Sequence, residues 1–357
     1  MKIVFIYQQL SSKTGGGIFT NVLLQSLRNI NQGLLEYSYP AYKNGMDKLV
    51  NQLFLYSAGM TPKHESEFLS ILSSNPIDVV VFNGSQLGNL VKKVKSEFPQ
   101  IKSITIFHNL EYKFVWDAFK IRKNPAQLIT LLATYINEKN SISYSDVIIT
   151  LNKRDSRAIF SQYKREADCI LPLCVADRFD ANKIVKLGNK KVGAFVGSNF
   201  FANNKGIKWF CENVSNRINC KILVIGKGFE EEAEYFSHYP NIKLIGTVDN
   251  IDEYYYNVDF IVSPIFDGSG MKTKTAEALM FGQNIFATDE AFEGYDLDFK
   301  KVGALCNTAE EFIREIESFT IGKEKYNEYS RFIYERKYSQ TVLEEILKQT
   351  INKVSEL

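Results

Sequence analysis

The sequence has little net charge, few cysteines and no long uncharged apolar run. Its 43 lysines and arginines nearly balance 41 aspartates and glutamates, a formal charge of +2, so any nucleic-acid surface must be local and no nucleic-acid partner is expected. The five cysteines are odd in number and lie mostly in apolar surroundings, which predicts reduced core thiols rather than a disulfide framework or a metal site. No stretch approaches the roughly 18 apolar residues of a membrane-spanning helix.

The first residues do not have the pattern of a secretion signal. Residues 1–7 hold one positive charge and a short apolar run without a small-residue cleavage site, which indicates a first β-strand. We therefore expect a cytoplasmic protein, and peripheral contact with the inner face of a membrane stays open.

The chain, at 357 residues, exceeds the usual size of a single hydrophobic core, so two domains are expected. Short apolar runs alternate with helical patterns, which is typical of parallel α/β sheets. The runs lie at residues 3–7, 79–82, 104–107 and 147–151, and again, after a polar stretch, at residues 192–196, 221–225, 242–245, 260–264 and 284–288. The predicted fold class is α/β, with two Rossmann-like, doubly wound parallel-sheet domains facing across a cleft.

The predicted domain boundaries follow from this alternation. An N-terminal domain covers residues 1–175, a C-terminal domain covers residues 190–335, and a linker lies near residues 174–190. A helix within residues 336–357 is expected to return to the N-terminal domain. Its predicted apolar face consists of Val342, Ile346, Ile351 and Val354.

A glycine run after the first strand is the first candidate binding segment. Ligands of parallel sheets bind beyond the carboxyl ends of the strands, and Gly15, Gly16 and Gly17 would let a phosphate or sugar approach the backbone. A tight turn without a ligand explains the run equally well. The dinucleotide fingerprint and the P-loop lysine and serine are absent, so neither a nicotinamide enzyme nor a P-loop ATPase is supported.

A second candidate follows the strand at residues 260–264. Residues 267–277 read D-G-S-G-M-K-T-K-T-A-E, a glycine loop with two lysines that runs into a helix. The loop N–H groups with Lys272 or Lys274 could neutralise a diphosphate. Glu277, one turn into the helix, suits the vicinal hydroxyls of a ribose. A capped helix beside a solvated basic loop is the plain alternative.

These motifs resemble the GT-B glycosyltransferases, particularly the large bacterial group that includes retaining hexosyl- and mannosyltransferases of the glycosyltransferase 4 type. The resemblance extends over nearly the whole chain, through residues 15–17, 195–206, 224–228, 245–249 and, most specifically, 267–277. It implies a C-terminal domain that binds a sugar nucleotide and an N-terminal domain that holds the acceptor. The donor-binding residues that it implies are Gly16, Gly17, Ser198, Asn203, Lys205, Gly206, Val248, Ser269, Gly270, Met271, Lys272, Thr273 and Glu277.

The resemblance also implies an activity. The expected protein is a hexosyltransferase that moves a sugar from a nucleoside diphosphate, with UDP the leading candidate, to a glycan, lipid-linked or protein acceptor, with retention of configuration. Lys205 and Lys272 would lie near the diphosphate, and because they would stabilise the leaving group, no metal or other cofactor is expected. Asp296 and Asp298 could suggest a manganese site, but such a pair is frequent by chance.

Two residues are candidates for the chemistry at the sugar. His108 follows a strand, and the family often has a histidine here that contacts the donor sugar, although a structural histidine is the alternative. Many members also carry a glutamate eight positions before the helix glutamate, where this chain has Ser269. We hypothesise that Asp267 substitutes for it.

An aromatic and basic segment at residues 111–132 is the candidate acceptor surface. It could stack on a sugar, hold an acidic acceptor, contact an anionic membrane, or be an amphipathic helix packed on its own domain. Its members are Tyr112, Lys113, Phe114, Trp116, Phe119, Lys120, Arg122 and Lys123.

Two other functions stay open at this point. A sugar-nucleotide epimerase of the same fold would need acidic and histidine residues at the sugar, for which only His108 and Asp267 are at hand. A non-catalytic glycosyltransferase-like subunit is suggested only by Ser269, and Lys272 and Glu277 argue against it.

Overall fold

The computed structural model of the protein describes residues 1–11, 14–122, 124–184, 191–322 and 326–356. The chain divides into two compact units. The first comprises Met1–Pro172 and the end of the chain from Gln340, and the second is Leu173–Ser339. Each unit is built on one six-stranded sheet. The predicted α/β class with two parallel, doubly wound sheets is confirmed.

The first unit has the strand order β2-β1-β3-β4-β5-β6, with all neighbours parallel. Its strands are β1 (Ile3–Gln8), β2 (Leu35–Tyr39), β3 (Val79–Asn83), β4 (Lys102–Phe107), β5 (Val147–Thr150) and β6 (Cys169–Ile170). Its helices are α1 (Gly15–Ile30), α2 (Gly45–Leu53), α3 (Pro62–Ser74), α4 (Gly88–Glu97), α5 (Glu111–Arg122), α6 (Ala126–Tyr144) and α7 (Lys153–Tyr163), together with a C-terminal helix (Gln340–Ser355).

The C-terminal helix packs against α1 within the first unit. Its buried face consists of Leu343, Leu347, Ile351 and Val354. The prediction was therefore wrong for Val342 and Ile346, which are only half-buried. The predicted face and the buried face each contain four apolar residues at helical spacing. Periodicity alone therefore could not show which of the two faces packs against α1.

The second unit has the strand order β12-β11-β10-β7-β8-β9, also parallel throughout. Its strands are β7 (Val192–Val196), β8 (Lys221–Ile225), β9 (Ile242–Gly246), β10 (Phe260–Ser263), β11 (Asn284–Ala287) and β12 (Gly303–Leu305). Its helices are α8 (Phe201–Asn213), α9 (Ala233–Ser237), α10 (Asp252–Asn257), α11 (Thr273–Met280), α12 (Asp289–Phe292), α13 (Phe299–Val302), α14 (Ala309–Ser318) and α15 (Glu328–Ile333), which continues into a π-helical turn at Tyr334–Tyr338.

The segment predicted as a linker contacts the second unit where it is described. Val175 forms a parallel bridge with Ser339, and Arg331 donates a 2.8 Å hydrogen bond to Asp177. Residues 185–190 of the predicted linker lie outside the described residues. None of the described helices is long and apolar enough to cross a bilayer. Four of the five cysteines are buried, and Cys169 is half-buried.

Candidate active site

Two loops of the second unit follow neighbouring strands. Strand β7 leads into α8, and β10 leads through the glycine loop into α11. Because β7 and β10 pair in parallel, their carboxyl ends meet at one edge of the sheet, where ligands of such sheets bind. The predicted donor residues of both loops therefore come together.

The loop after β7 is held by its own helix. Asn203 in the first turn of α8 donates a 2.9 Å hydrogen bond to the Ser198 carbonyl. Gly206 is buried, and a Cβ atom there would lie 2.0 Å from the Pro264 carbonyl oxygen. Gly206 thus lets α8 approach the end of β10, which makes its role one of packing.

The glycine loop after β10 turns twice through left-handed backbone. Gly268 has φ +145° and Gly270 has φ +66°, conformations that favour glycine. Met271 is buried, and its sulfur accepts a hydrogen bond from the Leu173 N–H at 3.4 Å, so it anchors the loop to its own unit. Ser269 is half-buried between the two glycines.

Two of the predicted diphosphate lysines already have carboxylate partners. Lys205 Nζ lies 2.6 Å from Asp267 Oδ2. Lys272 Nζ donates to Glu290 Oε1 at 2.7 Å and to the Gly270 carbonyl at 2.8 Å. A diphosphate would therefore have to compete with these carboxylates. Glu290 was not predicted, although it follows the carboxyl end of β11 and could have been suspected on that ground.

Lys274 has a different environment. Its Nζ donates to the neutral Asn203 side chain at 2.5 Å and lies 5.0 Å from the centre of the Phe195 ring. Burial, with a further contribution from Lys272, lowers the pKa of Lys274 to about 7. An anion placed against this amine would favour its protonated form. The sequence analysis gave Lys274 only as an alternative to Lys272, but both lysines lie at the start of α11. Among the described residues, no side chain caps this helix start.

Glu277 is buried one turn into α11. Arg178 Nη2 donates to its Oε1 at 2.8 Å, and Arg178 Nε donates to Asp252 at 3.1 Å. Burial raises the pKa of Glu277, and the guanidinium opposes that shift. Arg178 thus bridges two carboxylates from different helices. Sequence reasoning missed both Arg178 and Asp252 because they lie in remote segments without a motif.

Residues 245–249, one of the segments that carry the resemblance, contact an acidic side chain. Glu230 accepts hydrogen bonds from the Thr247 N–H at 2.5 Å and the Gly228 N–H at 2.7 Å. These bonds, those with Thr247 foremost, lower the pKa of Glu230 to about 2. Val248 is half-buried beside them. A base that used the Thr247 N–H would have to displace this carboxylate.

The first unit has a polar cluster at the ends of β3 and β4. His108 Nε2 lies 2.7 Å from Asn83 Oδ1, and Asn83 donates at 2.9 Å to Thr20 of α1. The Phe19 ring meets the imidazole edge-on at 5.4 Å. Burial lowers the pKa of His108 to about 4, so the imidazole is neutral near pH 7. Its Nε2–H donates to Asn83, which leaves Nδ1 as the accepting nitrogen.

Two acidic side chains lie next in this cluster. Glu111 accepts from Asn109 at 2.7 Å and from Gln86 at 3.1 Å. Glu138 accepts from Tyr163 and from the Glu111 N–H, both at 2.8 Å, and so caps α5. Burial raises the pKa of each carboxyl to about 7. Glu138 was not predicted because it lies in the middle of a helix.

Solved structures similar to this chain establish its fold. Anabaena Alr3699/HepE in complex with UDP-glucose has a TM-score of 0.69 at 11% identity, covering 99% of this chain and 100% of that one. The starch synthase IV catalytic domain of Arabidopsis thaliana bound to ADP and acarbose gives 0.67 at 10% identity over 99% of each chain. The trehalose 6-phosphate synthase of Burkholderia multivorans gives 0.63 at 11% identity over 99% and 98%. A search of curated proteins found no match.

A family match identifies the domain that contains these loops. Residues 190–320 match the model of the family described as Glycosyl transferases group 1. Residues 190–320 therefore form a group 1 glycosyltransferase domain, in a chain that has the GT-B fold. The matched range lies within the second unit and contains the two loops and α11 described above.

The first glycine run, in the first unit, is not the turn that was predicted. Helix α1 begins at Gly15, and the Thr14 side chain caps it by accepting from the Gly17 N–H at 3.2 Å. A Cβ at Gly17 would lie 2.0 Å from the Ser11 carbonyl oxygen, whereas one at Gly16 would have its nearest contact, Leu10, at 3.4 Å. Close packing therefore accounts for Gly17, and Gly16 is the residue with room for a side chain.

The predicted acceptor segment forms α5 and the start of α6. Lys113, Trp116 and Lys120 are exposed, whereas Tyr112 packs on Tyr135 with ring centres 5.2 Å apart. The side chain of Arg122, and Lys123 as a whole, lie outside the described residues. The segment therefore exposes Trp116 together with its lysines, while Tyr112 packs on α6.

The acidic pair considered for manganese has structural partners. Asp296 accepts from Lys337 at 2.5 Å. Asp298 caps α13 by accepting from the Lys300 N–H at 3.1 Å. Each carboxylate thus stabilises its own loop.

Proposed function

We propose that this glycosyltransferase transfers a sugar from a UDP-sugar to a hydroxyl group of a glycan, lipid-linked or protein acceptor, without a metal ion and with retention of configuration. The observation that carries the proposal is the grouping of Lys272, Lys274 and Glu277 over the first turns of α11. Two lysines lie at the start of the helix, where we propose that the diphosphate binds, and a carboxylate lies one turn further along α11.

The two lysines supply the chemistry of the donor. Breaking the bond between sugar and diphosphate leaves negative charge on the phosphate oxygens, and fixed cations stabilise that charge as it develops. Lys272 is paired with Glu290, while Lys274 can take up a proton as an anion arrives. Protein cations at this position would perform the task that a metal ion performs elsewhere, which supports metal independence.

Uridine is proposed as the base because the Anabaena neighbour is a complex with UDP-glucose. The starch synthase neighbour is a complex with ADP, so adenine is the competing base. Glu277 would accept hydrogen bonds from the ribose hydroxyls common to both nucleotides. Retention is proposed from the resemblance to the retaining hexosyl- and mannosyltransferases.

The first unit is proposed to hold the acceptor. The neutral His108 can accept a hydrogen bond from a sugar hydroxyl at Nδ1, and Glu111 adds a carboxyl group three residues further along the chain. In the second unit Asp267 is the candidate to accept from a hydroxyl of the donor sugar in place of Ser269. Asp267→Asn tests this assignment, because unchanged turnover would remove it.

Calorimetric titration with UDP-glucose, ADP-glucose and GDP-mannose tests the donor site, with EDTA present throughout. We expect one UDP-sugar to bind, and Lys272→Met to weaken it by about tenfold through loss of a charge-assisted contact. Lys221→Met, at an exposed lysine on β8, is the matched control. Absence of binding by every sugar nucleotide would favour the non-catalytic subunit.

Incubation with the bound donor separates the enzymatic alternatives. A transferase consumes donor faster when an acceptor glycan or lipid extract is added, and NMR of the product gives the anomeric configuration. Conversion of the donor to its epimer without acceptor would establish the epimerase. Activity that disappears with EDTA and returns with manganese would contradict metal independence.

A further inference from the structure

Glu290 of α12 forms a shielded ion pair with Lys272 at the start of α11. Lys272 Nζ lies 2.7 Å from Glu290 Oε1, and the two side chains are only 12% and 17% exposed. The side chains of the Lys205–Asp267 pair are 67% and 45% exposed. Because solvent screens an exposed pair more than a shielded one, Glu290 has the larger electrostatic effect of these two carboxylates.

The Glu290 carboxylate also lies beside the glycine loop. A Cβ atom built on Gly268 would be 3.6 Å from Glu290 Oε1 and 3.6 Å from Lys272 Nζ. Lys272 is tied to the same loop, because its Nζ donates to the Gly270 carbonyl at 2.8 Å. The lysine, the carboxylate and the loop therefore lie together where we propose that the diphosphate binds.

Hydrogen bonds to neighbouring segments fix the backbone around Glu290. Thr275 of α11 donates to the Ala291 carbonyl at 2.8 Å. On the other side, the Asp289 N–H donates to the Asn307 side chain at 3.0 Å. A ligand at Lys272 can therefore turn the Glu290 side chain, but the carboxylate stays attached to a backbone that is anchored to α11.

The proposed transfer increases the charge of the nucleotide. It breaks the bond between sugar C1 and the terminal phosphate oxygen, whose electron pair stays on the phosphate, while the acceptor oxygen bonds to C1 and releases its proton. A freed terminal phosphate ionises again with a pKa of about 6, so at about pH 8 the released UDP has about one more negative charge than the UDP-sugar. Donor and product therefore differ in charge at the phosphate that carried the sugar.

We propose that Glu290 is a specificity-determining residue that disfavours released UDP relative to the UDP-sugar and so promotes product release. A carboxylate held beside Lys272 repels the product more strongly than the donor, because the product has the greater negative charge. Without that carboxylate, Lys272 and Lys274 would favour the more highly charged product, UDP. This role of Glu290 rests on the proposed transfer from a UDP-sugar.

Calorimetric titration at about pH 8 with two probes tests this role. UDP has a free terminal phosphate, whereas the β-methyl ester of UDP has the charge of the donor without its sugar. The wild type should bind the ester at least as tightly as UDP. Glu290→Gln should bind UDP about tenfold more tightly than the wild type does, and the ester at most about threefold more tightly.

The direction of the change separates this role from a structural one. If Glu290 only oriented Lys272, its replacement would leave the lysine less well placed, and both probes would bind more weakly. In a donor-consumption assay, the inhibition constant of added UDP should likewise be about tenfold lower for Glu290→Gln than for the wild type, because the product leaves less readily.

Asp289→Asn is the matched control. Asp289 is the exposed residue next to Glu290 on α12, and its carboxylate accepts a hydrogen bond from Asn307 at 2.8 Å. The substitution changes the net charge by the same amount as Glu290→Gln, so both probes should bind as they do to the wild type. Circular dichroism of each variant establishes that the fold is intact.

Three outcomes would overturn the role of Glu290 alone. They are equal changes in the two affinities in Glu290→Gln, weaker binding of UDP by that variant, and a wild type that binds UDP more than about tenfold more tightly than the ester. The last comparison needs no variant. If UDP, the ester and UDP-glucose all failed to bind to every protein, the donor site proposed above would be removed, and the role of Glu290 with it.

Discussion

Arg178 donates a 2.8 Å hydrogen bond to Glu277, and its side chain is 32% exposed against 9% for the glutamate. The same guanidinium binds Asp252 of α10. Burial alone would push Glu277 toward its neutral form, and Arg178 opposes this effect. The arginine therefore sustains a carboxylate at the position proposed to hold the ribose.

Replacing Arg178 should weaken nucleotide binding through Glu277. In Arg178→Gln the pKa of Glu277 rises further, because its burial is no longer opposed by a positive charge, and a protonated carboxyl accepts ribose hydroxyls less well. We expect the Kd for UDP to rise about tenfold near pH 7. The loss should be larger at lower pH, where more of the variant is protonated.

Comparison with 2′-deoxy-UDP separates this positioning role from a merely structural one. The wild type should prefer UDP, and the preference should shrink in Arg178→Gln and in Glu277→Gln. Arg217→Gln, which removes an exposed ion pair with Glu310, should leave both affinities unchanged. Equal weakening of both nucleotides in Arg178→Gln would contradict the role given to Arg178.

Lys274 should make donor binding dependent on pH. Its pKa of about 7 means that the protonated amine becomes scarce as the pH rises, so the affinity for UDP should fall between about pH 6 and about pH 8.5. A bound diphosphate raises the pKa of Lys274, so binding near pH 8 should take up a proton. Calorimetry in buffers of different ionisation enthalpy measures this uptake.

Lys274→Met should abolish both the proton uptake and most of the pH dependence. The exposed Lys221, replaced in the same way, serves as the control. If the Lys274→Met protein still took up a proton on binding UDP, another group would be responsible.

The sequence located the strands of the sheet interiors but not three strands at sheet edges. Continuous apolar runs revealed β1, β3, β4 and β5 in the first unit, because strands covered on both faces must be apolar throughout. The missed strands are β2, β6 and β12, each at the edge of its sheet. Strand β2 reads L-E-Y-S-Y, and β6 and β12 have only two and three residues.

The candidate site was predictable where its residues share a local motif. Lys272, Ser269 and Glu277 belong to one segment, so their proximity follows from a strand, a loop and a helix. Arg178 and Glu290 reach the same lysine and glutamate from distant parts of the chain. Such ion pairs depend on how separate elements pack, which no spacing within the sequence encodes.

Glu111 should make the stability of the protein fall as the pH rises. The folded protein holds a proton on Glu111 up to a pKa of about 7, whereas the ordinary value is 4.5. The contribution of this proton to the free energy of unfolding is therefore fully present below about pH 4.5 and is lost as the pH rises through about 7. Glu111→Gln, which cannot ionise, should show a smaller drop in Tm between about pH 5 and about pH 8 than the wild type.

Differential scanning calorimetry across this pH range measures the effect. Glu97→Gln, at an exposed glutamate that ends α4, should retain the wild-type pH profile. An unchanged profile in Glu111→Gln would show that Glu111 is ionised in the folded protein throughout the range.

The first glycine run provides a test that separates packing from ligand binding. Gly17→Ala would bring a Cβ to 2.0 Å from the Ser11 carbonyl, so we expect it to lose about 2 kcal/mol or more of unfolding free energy. Gly45→Ala, with no neighbour within 4 Å, is the control and should be neutral or slightly stabilising.

Gly16→Ala gives the decisive comparison, because its new methyl group would have ordinary contact with Leu10 at 3.4 Å. Its stability, measured by urea unfolding, should equal that of the wild type or exceed it by up to about 1 kcal/mol. If the glycine run also admits a substrate to the backbone, this stable variant should still lose turnover, with donor affinity measured separately. Full turnover in Gly16→Ala together with instability in Gly17→Ala would assign the run to packing alone and remove Gly16 and Gly17 from the donor site.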